Sequence, residues 1–145
     1  MAIGLAPATT QVEKYTHTLC EVIRQDFIRE GIQRHKRDHF FAVNAGDDFG
    51  AEYHQSCIQD LQDGIIDEQW IYEAGRKYYK IIHICDSQHS QQRSVHAFVD
   101  KKTGDVYKPA GWKSPAKHVR FNLIDEVSRE ECYSRCDWAG GYLYL

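Results

Sequence analysis

The strongest constraint on the fold of this chain is a closely spaced series of strand-like runs between Gln69 and Lys108, each bounded by turn residues. Gln69 to Glu73 is the first, after which Ala74-Gly75 turns the chain. Arg76 to Cys85, rich in Tyr and Ile, is the second, and Ser94 to Asp100 is the third, across a polar Asp86–Gln92 loop. Lys101-Lys102-Thr103-Gly104 forms a short hairpin loop whose glycine can take a left-handed conformation, and Asp105 to Lys108 completes an antiparallel meander of four strands over roughly 69–109. Pro109 cannot donate to a ladder, so the fourth strand is expected to lie at an edge or to end there.

Helical patterning flanks the strands. Val12, Tyr15, Leu19, Ile23 and Phe27 recur at steps of three and four, which predicts a helix from Thr10 to Glu30 with one apolar stripe. Thr10 and Glu13 have capping-box spacing, and Gly31 suits the position that ends a helix. A basic connector follows (Arg34-His35-Lys36-Arg37), then Phe40 to Val43 as a short strand. Asp47 or Asp48 caps a second helix that ends near Asp63, with Tyr53, Cys57 and Leu61 on its inner face. Beyond Trp112 the pattern is irregular to Phe121, a final helix is expected from Asn122 or Asp125 to Trp138, and Tyr142–Leu145 reads as a last short strand. The expectation is one α+β domain, residues 1–145, with the N-terminal helices and the C-terminal helix packed on one face of the sheet.

Composition narrows the class. Hydrophobic residues make up 42% and charged residues 27%, which excludes a disordered chain. Five cysteines (Cys20, Cys57, Cys85, Cys132, Cys136) form no CxxC pair, the first residues lack a basic leader, and no apolar run could span a bilayer. These features point to reduced thiols in a soluble cytoplasmic protein with no membrane partner. No GxSxG, Walker loop, HExxH or GxGxxG is present, so the chain is expected not to be an enzyme and to need no cofactor.

Two constellations carry chemistry. The chain has a net charge of −3, yet residues 101–120 hold six basic residues against Asp105 alone. There Lys101, Lys102, Lys108, Lys113, Lys117 and Arg120 are interleaved with Tyr107, Trp112 and Phe121. Cations neutralise phosphates and exposed rings stack on bases, so this segment, with Trp112, is a candidate surface for nucleic acid or another polyanion. Solvated lysines that protect an edge strand explain the same composition. The second constellation is His83, Cys85 and His96. If the Asp86–Gln92 loop closes symmetrically, His83 lies opposite His96, with Cys85 two residues along on the same face. Two imidazoles and a thiol can bind a transition metal, although a slip of one residue separates them. Cys132 and Cys136, four apart on the final helix, read as buried thiols.

The stretch Ser94-Val-His-Ala-Phe-Val-Asp-Lys-Lys-Thr-Gly-Asp-Val-Tyr-Lys-Pro-Ala-Gly-Trp112, continuing through Lys-Ser-Pro-Ala-Lys117 and Arg-Phe-Asn-Leu123, resembles a group of small proteins from tailed phages. They are encoded notably by viruses of marine cyanobacteria and found in ocean metagenomes. Glu73-Ala-Gly-Arg-Lys-Tyr-Tyr-Lys80 and Asp137-Trp-Ala-Gly-Gly-Tyr142 are similar too, so the likeness covers residues 69–145. It implies an accessory role in the cytoplasm of an infected host, and it brings no catalytic residues. The expected function is binding or interaction. Self-association through an aromatic edge and the Tyr-Leu-Tyr-Leu ending is the first route, nucleic-acid binding by residues 101–120 the alternative, and a metal or enzymatic site at His83, His96 and Cys85 the third.

Overall fold

The computed structural model describes residues 8–87 and 89–144. Helix α1 (Ala8–Asn44) and helix α2 (Asp48–Gln62) are followed by five strands: β1 (Glu68–Ala74), β2 (Tyr78–Asp86), β3 (Gln91–Asp100), β4 (Asp105–Pro109) and β5 (Pro115–Asn122). Helix α3 (Glu126–Arg135) and a 3-10 turn (Gly141–Leu143) complete the order. The strands form one antiparallel sheet in sequence order, so the fold is α+β. The chain divides into two compact units: 1–24 with 68–145, and Gln25–Asp67.

In the first unit, the Ala8–Arg24 part of α1 and helix α3 lie on one face of the sheet. Tyr72 donates to Glu13, and Tyr133 donates to the Tyr15 carbonyl. Val12, Thr16, Leu19 and Ile23 are fully buried, as are Ile81, Val99, Val106 and Leu123. The expected stripe of α1 is thus a core face, and Thr16 satisfies its buried hydroxyl on the Val12 carbonyl one turn back. The first hairpin turns at Gly75, and the third strand meets the fourth through Asp100, whose Oδ1 accepts from the amides of Lys102 and Thr103. Gly104 has φ 77° and closes that turn on the Asp100 carbonyl.

The second unit is a helical hairpin. The Gln25–Asn44 part of α1 and α2 are joined by Ala45–Asp47, and Asp47 is the cap of α2, accepting from the Gly50 amide at 2.9 Å. Gly31 is helical rather than terminal. A Cβ there would lie 3.0 Å from Leu61 Cδ1, so the glycine admits the facing helix instead of stopping its own.

Several sequence expectations are corrected. Helix α1 continues through the basic connector, and Phe40–Val43 is helical, because Gly31 buys interhelical contact that a terminating turn would forfeit. Residues 115–122 form a fifth strand, so β4 is interior and not an edge, although it does end at Pro109 as the other alternative had it. Its Pro109 faces Pro115 at the end of the ladder, where neither missing N–H interrupts pairing. Tyr142 and Leu143 lie in a buried 3-10 turn and not in a strand, and Leu145 lies outside the described residues. The final helix stops at Arg135. The polar loop is shorter than expected, since β2 runs to Asp86 and β3 starts at Gln91, and the Ser87 amide donates to the Ser90 carbonyl. The capping side chain expected at Thr10 lies outside the described residues; α1 already begins at Ala8.

Candidate functional site

The meander places the β1–β2 turn and the β3–β4 turn at the same end of the sheet, and the Lys101 amide donates to the Lys77 carbonyl across them at 3.0 Å. Arg76, Lys77, Lys101 and Lys102 consequently line one cleft, with Asp100 and Thr103. Asp100, whose buried carboxylate accepts from the turn amides, is one acid against these four cations. On the adjoining face Lys80 pairs with Phe98 in register, and Phe98 with Tyr107. The β4–β5 loop folds over this face. Trp112 lies 4.7 Å from the Lys80 ammonium, and Lys113 shares a depression with Arg76, Lys77, Tyr78 and Lys80. Glu73 borders it but faces Arg93 at 3.4 Å. Trp112 is 46% exposed, with the Lys80 ammonium against its ring, whereas Phe98 is buried.

The seven basic and aromatic residues singled out from sequence therefore separate. Lys101, Lys102, Trp112 and Lys113 belong to this surface. Lys108 lies 4.1 Å over the Tyr144 ring, and Arg120 donates to the carbonyls of Leu143 and His118, so both hold the C-terminal segment. Lys117 is exposed on β5. Arg76, Lys77 and Lys80 were missed. Their signal was topological, since alternate turns of a meander fall at one end and bring residues 76–77 to residues 101–102.

The sheet histidines do not face each other. His83 pairs with Ser94, because the hairpin closes at Asp86 opposite Gln91; an irregularity further along then leaves His96 as the extra residue between Val95 and Ala97. His83 stacks on Trp70, with ring centroids 4.5 Å apart and planes 5° apart, and its Nε2 lies 2.8 Å from Glu68. His96 is buried, and its Nε2 shares a 2.8 Å hydrogen bond with the Tyr142 hydroxyl. Burial, with a smaller contribution from His83, lowers the His96 pKa to about 4, against the counteracting charge of Asp137. Burial also holds the Tyr142 hydroxyl well above its ordinary range, so the pair is neutral near pH 7. His83 and His96 both line a pocket of about 240 Å³ together with Trp138, Gly140 and Leu143. Cys85 opens on a neighbouring cleft with Glu68 and His83.

Among the described residues, one trio of His, Cys, Asp or Glu brings its ligand atoms within 4.8 Å of one another, and it is His35, Asp38 and His54 in the helical hairpin. No sequence motif marked it, since His54 sits on α2 and the connector was read as a loop. Desolvation, then the charges of Arg34 and His54, lower the His35 pKa, with Asp38 opposing. All five thiols are free, and no helix of the described residues is long and apolar enough to cross a membrane.

A family model matches residues 6–145, nearly the whole chain, with both the hairpin and the sheet inside it. The chain belongs to DUF7717, a family of unknown function. No curated protein and no solved structure matches this DUF7717 chain.

Proposed function

We propose that this DUF7717 protein binds single-stranded nucleic acid on the face formed by Arg76, Lys77, Lys80, Lys101, Lys102 and Lys113, with Trp112 as the stacking ring. The observation that carries the reading is this concentration of six cations around one exposed indole in a chain of net charge −3. Phosphate neutralisation supplies the affinity, and an exposed aromatic ring adds about 1–3 kcal/mol per stacked base. On the resemblance of residues 69–145 to phage proteins, the setting is the cytoplasm of an infected host, and the role is accessory and non-enzymatic.

Fluorescence anisotropy with labelled single- and double-stranded oligonucleotides, repeated across salt concentrations, tests this. If about six phosphates are neutralised, the slope of log K against log salt is about −4 for single strands. Affinity then falls a few hundred-fold between roughly 50 and 200 mM salt. Replacing Lys77, Lys101 and Lys102 together with Ala reduces the slope by about 2. Absence of binding at low salt, or a slope indifferent to the triple substitution, rejects the assignment.

A second reading rests on a separate observation. Phe40, Phe41, Val43 and Phe49, near the connection of α1 and α2, are 62, 61, 55 and 82% exposed. Such a cluster suits self-association. Sedimentation of the wild type against Phe49→Ser, over a range of protein concentrations, tests it. A monomer at all concentrations removes the reading.

A further inference from the structure

We infer that His35, Asp38 and His54 form a binding site for a divalent first-row transition metal ion that clamps helix α1 to helix α2. His35 and Asp38 are three apart on α1 and share a face; His54 comes from α2. The Nδ1 atoms of the two histidines approach to 3.0 Å, and the Asp38 carboxylate lies within 4.8 Å of both. All three side chains are half-buried, so an ion held there loses part of its water shell and keeps an open side.

The donor set has a recognisable chemistry. Two imidazoles and one carboxylate on a single side of an ion are the facial arrangement that leaves further positions for water or ligand. Nitrogens about 2.05 Å from one ion and 3.0 Å apart subtend about 95°, close to the right angle of octahedral or tetragonal coordination. A tetrahedral zinc ion would spread the same atoms to about 3.3 Å. The donor set of two imidazoles and one carboxylate suits Ni²⁺, Cu²⁺, Fe²⁺ or Zn²⁺, the ion taking the place of the proton shared by the two Nδ1 atoms.

The surroundings give the ion a structural task. Helix α2 contributes no buried residue, and the apolar contact across the hairpin includes Leu61 against Gly31. The buried apolar side chains of unit Gln25–Asp67 are Ile28 and Ala42. A helical pair with so little core gains most from a cross-link that exists only when both helices are in place. Tyr53 packs its ring edge-on against both His35 and His54, which limits the rotation of the imidazoles and preorganises them. The assignment is independent of the nucleic-acid surface, whose residues all lie in the other unit.

The test uses the full chain freed of metal by chelation and titrated calorimetrically with Ni²⁺ and Zn²⁺. The expected result is one equivalent bound, with Ni²⁺ retained and an affinity at least about 100-fold weaker in His54→Ala. A His83→Ala control should bind as the wild type does. Should His54→Ala misfold, diethylpyrocarbonate mapping of the wild type gives the answer without a variant. Ni²⁺ should protect His35 and His54 from modification, while His17, His89 and His118, all exposed, stay reactive. Unchanged affinity in folded His54→Ala, no stoichiometric binding, or equal modification of His35 and His54 with and without metal overturns the site.

Discussion

Acid should destabilise this protein through His96 well before its carboxylates are titrated. His96 is 7% exposed and its pKa falls from 6.5 to about 4 on folding. The folded value is the lower one, so the unfolded chain takes up the proton first. Stability is unaffected above about pH 6.5, declines as pH falls from there, and levels off below about pH 4, where both states are protonated. The full loss is about 3 kcal/mol, and about 2 kcal/mol of it arrives between roughly pH 7.5 and 5. The neighbouring charges act in opposition, His83 disfavouring the imidazolium and Asp137 favouring it, so burial is the dominant cause. Urea unfolding at a series of pH values, followed by tryptophan fluorescence, measures the effect. The proper comparison is the double variant His96→Phe/Tyr142→Phe, because His96→Phe alone strands a buried hydroxyl at a cost of about 1–3 kcal/mol. The double variant should lose about 2 kcal/mol less than the wild type over that interval. His35, whose pKa is also lowered, is present in both proteins and cancels. Parallel curves for the two proteins would show that His96 titrates as if in water, and would refute the burial argument.

Three further outcomes follow from particular contacts. Gly104→Ala should cost about 2–4 kcal/mol in urea unfolding, because φ is 77° and the new Cβ would lie 2.9 Å from Ile124 Cγ1 and 3.1 Å from the Ile124 amide nitrogen; a change below about 0.5 kcal/mol would contradict it. With iodoacetamide under native conditions, half-buried Cys57 and Cys85 should react first. Buried Cys20, whose thiol is pushed up to about 12, and buried Cys132 should react only on unfolding, as peptide mapping will read. Trp112→Ala should weaken single-strand binding by about 5- to 150-fold. It should alter unfolding stability by no more than about 1 kcal/mol, since its cation–π contact with Lys80 is at the surface. Equal anisotropy for this variant and wild type would remove the indole from the binding face.

The fold class was legible because its signals are local. The stripe from Val12 to Ile23 and the alternation around Ile81 state their own periodicities, and the turn at residues 101–104 names its glycine. Strand β5 was not legible, because Pro115-Ala-Lys-His-Val-Arg offers no alternation until Phe121 points into the core. Its pairing with β4 is decided by the partner. The basic surface was half legible. Lys101, Lys102, Trp112 and Lys113 are neighbours in sequence, whereas Arg76, Lys77 and Lys80 join them only once the meander has closed. Conversely, Lys108 and Arg120 carry the right charge but are committed to the C-terminal segment, a choice that charge counting cannot see.

The two displaced histidine relationships have a common physical origin: a local signal overruled by packing. In the β2–β3 hairpin the closure at Asp86 opposite Gln91 sets Ser94 opposite His83, whose ring stacks on its β1 neighbour Trp70 and bonds Glu68, while His96, the extra residue further along β3, turns to Tyr142. Both imidazoles are satisfied, His83 by Trp70 and Glu68 of β1 and His96 by the Tyr142 hydroxyl. In α1 the glycine that looks like a terminator is retained inside the helix because Leu61 needs the space its side chain would take. Continuation past Gly31 then sets His35 and Asp38 on one helical face, within reach of His54. A helix ended at Gly31 would have left His35 and Asp38 in a loop, no longer fixed on one face opposite His54 of α2. It follows that a bulkier residue at position 31 should separate His35 from His54 without touching either, and that metal affinity should fall with it.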